Sequence, residues 1–159
     1  MPKRVEVPHN ELFKRFAENI ARDKRQILSV QGTRKEPPFA YTIGNQEKLL
    51  PELLLFGNLG ATEISSILND LSEHMIYTKA PWPLGENVWG DYHFYAYDGG
   101  CVAKANYTYQ AGQFYGNEDY KVLQIVLPDR KGRWPDEELC HKSFKVPILG
   151  LTGAPMIHR

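Results

Sequence analysis

Residues 62–83 restrict the possible folds of this chain more than any other stretch. Ile64, Ile67, Leu68, Leu71 and Met75 recur at i, i+3, i+4, i+7 and i+11, which gathers five apolar side chains onto one stripe of a helix. A stripe of that width has to be covered, and the cover for a single helix is a sheet or another helix. Thr62 is the candidate N-cap, with Ser65 instead of Glu at the third helical position, so the capping box is incomplete. The helix is predicted to end near Tyr77, because two prolines in Ala80-Pro81-Trp82-Pro83 cannot continue it.

The covering layer is legible in the rest of the chain. Leu53 to Phe56 is a short continuous apolar run, which suits a strand buried on both faces, although periodicity alone leaves helix open. Ile27–Gln31 and Phe39–Ile43 read as strands around the turn-rich Gly32 to Pro38 segment. Tyr92–Tyr97 and Cys101–Tyr109 read as a hairpin through Asp98-Gly99-Gly100. Val122–Leu127, β-branched and closed by Pro128, is the clearest strand, and Asp129 to Gly132 is a turn by composition. Residues 10–25 form a first helix with Asn10 as cap, Glu11 in the first turn, Lys24 and Arg25 at the other end, and Leu12, Phe13, Phe16 and Ile20 as its stripe. The expected architecture is an α+β single domain: a mostly antiparallel sheet with two main helices packed on one face. Residues 1–26 are its N-terminal helical segment and residues 27–159 its α+β body.

Composition narrows the class. The 159 residues are 42% apolar, and nineteen basic residues balance nineteen acidic ones. Such a chain has enough apolar material for one core and no overall field to attract nucleic acid or a membrane surface. No apolar run approaches the roughly 20 residues needed to cross a bilayer, and the charged opening lacks the apolar core of a signal peptide. Cys101 and Cys140 are too few for a disulfide framework and suit a reducing cytoplasm. Charge is uneven, with residues 1–36 at net +4 and residues 37–159 at net −4. The basic segment is either a solvated helix face or a steering surface for an acidic or phosphorylated partner.

Familiar chemical signatures are missing: no phosphate-binding Walker loop, no G-x-G-x-x-G, no G-x-S-x-G and no H-E-x-x-H. Cys140 and His141 are neighbours that an extended backbone would point to opposite faces, so no metal site is expected, and no cofactor. His93 shares strand parity with Tyr95 and Tyr97. The three make either a stacking platform for a base with imidazole as proton donor, or an aromatic sheet face packed under a helix. Cys101, opening an apolar strand, is expected buried and inert. Gly57 to Thr62 offers free backbone N–H groups to an anion, or simply the geometry of a strand-to-helix turn.

Three ordered groups of motifs carry a likeness. Pro38-Phe39-Ala40-Tyr41-Thr42-Ile43-Gly44, Pro51-Glu52-Leu53 and Phe56-Gly57 come first, continued by Leu68-Asn69-Asp70-Leu71. Gln113-Phe114-Tyr115-Gly116, Leu123 to Asp129, Gly132 and Trp134-Pro135 follow, and Pro147-Ile148-Leu149-Gly150 closes the set. Over residues 28–150 the chain resembles DUF4262, a family named for having no known function. Two positions depart from its pattern: Leu50 stands where the family usually has histidine before Pro-Glu, and Asn45 follows Gly44 where leucine is usual. The resemblance implies a small cytoplasmic domain of bacterial or phage type and carries over no catalytic residue.

Two functions remain open. The first is a non-catalytic interaction protein, of the immunity or anti-defence inhibitor kind, binding a protein partner. Trp82, Trp89 and Trp134, each in a Pro- or Gly-rich segment, would be its exposed anchors. The alternative is a small enzyme or sequestering domain for a nucleotide or other phosphorylated ligand. His93, Glu52 and Asp129 would form its catalytic group, with Tyr41, Thr42, Arg34, Tyr95, Tyr97, Gln124 and Arg130 around the ligand. Tyr41, Thr42, Glu52, Gln124 and Asp129 are polar groups in or beside apolar strands, so they either satisfy one another as a network or converge on a pocket. The discriminating observation is whether His93, Glu52 and Asp129 line one pocket.

Overall fold

A computed structural model describes residues 9–150, with side chains from residue 11 onward. The Asn10 cap lies outside the described side chains. Six strands form one sheet: β1 (Gln26–Val30), β2 (Phe39–Ile43), β3 (Glu52–Phe56), β4 (Gly85–Trp89), β5 (Tyr92–Asp98) and β6 (Val122–Val126). Their spatial order is β1-β2-β3-β6-β5-β4. The sheet is mixed, which corrects the mostly antiparallel expectation: β3 and β6 run parallel at the centre, and antiparallel pairs flank them. Two antiparallel three-stranded units, one from each half of the chain, therefore meet along a single parallel seam.

The apolar run of β3 explains the layers. All five of its residues are buried. Leu53 and Leu55 pack with α2 (Ala61–Thr78), whereas Leu54 and Phe56 pack on the opposite face with Phe16 and Ile20 of α1 (His9–Asp23). A strand apolar at consecutive positions presents apolar side chains to both faces, so both need a cover. The expectation of two main helices on one face is thus corrected: α1 and α2 lie on opposite faces. The predicted stripe of α2 is buried at Ile64, Ile67, Leu68, Leu71 and Met75. Its N-cap is Gly60, not Thr62, and Lys79 in the left-handed conformation closes the other end.

The second half departs most from expectation. Residues 101–109 are not a strand: α3 (Gly100–Asn106) and α4 (Tyr109–Tyr115) occupy that stretch, burying the small side chains of Ala103 and Ala111. The hairpin partner of β5 is β4, joined to it by Gly90 (φ 57°) and Asp91 and registered through Trp89 and Tyr92. Strand β4 reads poorly in sequence because Gly85, Glu86 and Asn87 have low strand propensity. Asn87 is nevertheless held, donating to the carbonyls of Pro83 (2.9 Å) and Gly85 (3.2 Å). No helix among the described residues is long and apolar enough to cross a membrane.

Candidate functional site

The sheet carries a buried carboxylate at one end and a charged surface turn at the other. At the first end Glu52 is fully buried where β3 begins. Its Oε1 accepts from the Thr42 hydroxyl (2.8 Å) and the Asn45 amide (3.1 Å). Its Oε2 accepts from the amides of Gly44 (3.2 Å) and Gln46 (3.1 Å) and from the Tyr115 hydroxyl. Burial pushes the Glu52 carboxyl up, against the pull of Tyr115, Thr42 and the Gln46 and Asn45 amides, and burial beside Glu52 pushes the Tyr115 phenol up as well. Thr42 and Asn45 extend the network to Leu53 N and Ser72, and buried Arg25 reaches Asn45, Asn69 and Glu73.

Of the five polar residues expected to satisfy one another or share a pocket, only Thr42 and Glu52 meet. Tyr41 is buried in the core beside Ile43 and Leu54, where burial pushes its phenol up. Gln124 faces the last described residues, donating to the Pro147 carbonyl and accepting from Leu149 N (2.7 Å). Asp129 organises the turn after β6: Oδ1 accepts from the amides of Lys131 (2.9 Å) and Arg133 (2.8 Å), and Oδ2 from His141 N (2.9 Å). Burial pushes this carboxyl up, but the three amides outweigh it and hold it below the usual range.

His93 and Asp129 line one shallow groove, together with Tyr92 and Arg130. Glu52 does not join them, because β3 and β6 both start at its end of the sheet whereas His93 lies past the other end of β6. The catalytic group expected from His93, Glu52 and Asp129 is therefore not assembled. His93 instead has its Nε2 3.3 Å from Glu86 and its ring edge-on to Trp134. Tyr95, stacked on Tyr97, donates to the same Glu86 (3.3 Å). Arg34 is exposed in the β1–β2 connection and lines neither this groove nor those described below, and Arg130 is exposed 3.6 Å from Glu63.

The tryptophans correct the expectation of exposed anchors. Trp82 is 7% and Trp134 5% exposed, and Trp89 is half-buried. Trp82 stacks on His74 at 4.3 Å, meets Phe94 edge-on and donates its ring N–H to the Leu71 carbonyl (3.0 Å). Trp134 closes edge-on over Tyr95. The proline segments that carry Trp82 and Trp134 turn these two rings inward, against Phe94 and Tyr95 of β5. Cys101 is exposed at the start of α3 and Cys140 is buried, its thiol pushed up mainly by burial, so the expected burial of Cys101 is corrected too. Gly57 (φ 139°) and Gly60 serve the geometry of the strand-to-helix turn. Among the described residues no three His, Cys, Asp or Glu side chains gather as metal ligands would.

Two clefts were not visible in the sequence. The first, about 360 Å³, lies at the Glu52 end and has Leu49, Leu50, Pro51, Trp82 and Leu84 as its apolar lining. Asp98, Asp119 and Lys121 add charge to it. Leu49 is 87% and Leu84 60% exposed, and Leu49 follows the 3₁₀ turn Asn45–Lys48 in a left-handed conformation (φ 59°) that no Gly or Asn signalled. The second, about 320 Å³, surrounds the Asp129 turn with Arg130, Lys131, Arg133, His141 and Ser143. Of its cations, sequence reasoning had singled out Arg130 alone. Lys131 and Arg133 flank Gly132 in a stretch read only as a turn, and His141 is brought to them by Asp129.

Residues 19–141 match the family model described as Domain of unknown function (DUF4262). No curated protein and no solved structure matches the chain.

Proposed function

The chain belongs to the DUF4262 family, and from that premise we propose that it acts without turnover, by holding a protein partner in the apolar cleft at Leu49 and Leu84. The carrying observation is Leu49, which joins 87% exposure of an apolar side chain to a left-handed backbone that a leucine adopts at a cost. The backbone costs stability and the exposed side chain returns none, and such residues persist where a surface serves binding. Leu84 faces the same cleft, and Trp82 is its buried wall instead of a projecting anchor. The two aspartates and one lysine favour a partner segment that is apolar with a basic flank. An inhibitor of the immunity or anti-defence kind is one form such a module takes.

Absence of turnover is supported by the state of the two carboxylates considered for catalysis. Glu52 is enclosed by five donors and has no lone pair standing ready for a substrate. Asp129 spends three of its roughly four acceptor sites on backbone amides that hold its carboxyl below the usual range, which makes it a weak base. The test compares co-purification of the wild type and the Leu49→Asp, Leu84→Asp double variant from native cells, followed by reconstitution with the purified partner. Binding should weaken by about 2 kcal/mol or more, as for loss of a central anchor, with the melting temperature maintained. A partner held equally by both proteins, or turnover of a substrate by the pure protein, refutes the proposal.

A further inference from the structure

We propose that the cationic cleft around the Asp129 turn is a separate binding site for a small phosphorylated molecule that carries a ring with N–H donors, of nucleotide type. The inference stands apart from the protein-binding cleft, which lies at the other end of the sheet.

Asp129 uses its own charge on three backbone amides, and by doing so it wraps residues 129–133 and His141 around one concave surface. What the loop then displays is Arg130, Lys131 and Arg133, with His141 and Ser143 beside them. Two of these groups are oriented in advance. Arg133 donates one guanidinium nitrogen to the Leu139 carbonyl (2.8 Å), which fixes its plane. His141 Nδ1 accepts from Ser143 N (3.1 Å), so the neutral ring carries its proton on Nε2, as a donor. A guanidinium fork, an ammonium and an imidazole N–H are the donor set that phosphate oxygens match.

The second half of the ligand is specified by the adjoining groove. It shares Asp129, Arg130 and Phe144 with the cationic cleft and measures about 270 Å³. Leu59, Ile67, Leu127 and Tyr92 make its wall apolar and aromatic, the surface on which a flat ring stacks. Glu63 and Asp91 line it too, and carboxylates there select a ring bearing amino or ring N–H groups over a bare hydrocarbon. Arg130 stands between the two grooves, 3.6 Å from Glu63 at the surface. An exposed pair of that length contributes little and yields readily to a phosphate.

The experiment is thermal-shift and calorimetric titration of the full chain with AMP, adenosine and inorganic phosphate. The wild type and the Arg130→Glu, Lys131→Glu variant are run in parallel. AMP should raise the melting temperature with concentration, and more than adenosine or phosphate does. In the variant, which removes two cations from the cleft, AMP affinity should fall about tenfold or more, since losing even one charge-assisted hydrogen bond has that effect. Lys131→Gln, a change at one exposed side chain, should move affinity the same way by less, which covers a double variant that fails to fold. No shift with AMP, an equal shift with adenosine, or full retention of AMP affinity in the variants overturns the proposal. A single-stranded oligonucleotide that outcompetes AMP at equal phosphate concentration overturns the small-molecule assignment.

Discussion

Glu52 and Asp129 solve the same local problem with opposite results. Glu52 opens β3 and Asp129 lies three residues past the end of β6, and each carboxylate collects the backbone amides of a tight turn. Glu52 does so in the interior, where Thr42 and Tyr115 complete its shell and nothing charged is left to display. Asp129 does so beneath the surface, and the turn it closes carries Arg130, Lys131 and Arg133 outward. The contrast teaches that a carboxylate occupied by backbone amides is a fastener, and that function is to be sought in what the fastened loop presents. At the Glu52 end the presented residue is Leu49, and at the Asp129 end it is a group of cations.

That contrast can be broken or sharpened by measurement. Leu68→Ala empties the core on which both ends rest and should cost about 2–5 kcal/mol, a loss read by denaturant melts and the same with or without ligand. Glu52→Gln sets an amide NH₂ among donors and should cost roughly 3 kcal/mol through unsatisfied buried groups. Retention of wild-type stability would show that the interior shell is dispensable.

The two carboxylates should also respond to pH with opposite sign. Glu52 has its folded value raised above the ordinary 4.5, so the folded state binds the extra proton. Its contribution is present below about 4.5 and is lost as pH rises through the folded value. Asp129 has its folded value lowered below the ordinary 3.8, so its contribution is present above 3.8 and lost as pH falls through the folded value. Stability-versus-pH curves of Glu52→Gln and Asp129→Asn should therefore each lack one of these limbs. Curves that change in the same direction would end the distinction. The smallest effect is kinetic: Cys101, at the Glu52 end, should label rapidly with a thiol reagent and Cys140, beside the Asp129 turn, slowly.

What could be read in advance follows the same division. Strands β2, β3 and β6 and helix α2 were legible because apolar runs and a helical stripe are local signals, and the ordered motifs around them sufficed to suggest the family. The sidedness of the helices is encoded in the run from Leu53 to Phe56, since consecutive apolar residues demand two covers, although the run does not say which helix supplies which. Residues 101–109 read as a strand because CVAKANYTY alternates, whereas the one small side chain it buries in α3, Ala103, lets a helix pack closely. Glu52 and Thr42 were recognisable as buried polar residues, but their separation from His93 depends on which end of β6 meets which strand. Leu49 had no signal, because its left-handed backbone comes from the preceding 3₁₀ turn.

The parallel seam has a consequence for the order of assembly. Hairpins β1–β2 and β4–β5 and the β2–β3 pair each join segments close in the chain, whereas the seam pairs Glu52 with Val122. Contacts between distant segments form slowly, because chain entropy must be lost before they are rewarded. During synthesis, the first three strands and α2 emerge well before β6 does. Until then β3 offers an open edge, apolar from Leu53 to Phe56, the kind of template on which nascent chains pair wrongly. The vulnerable moment of this protein's life is thus the interval between translation of residue 56 and residue 126, and β6 is the segment whose arrival ends it.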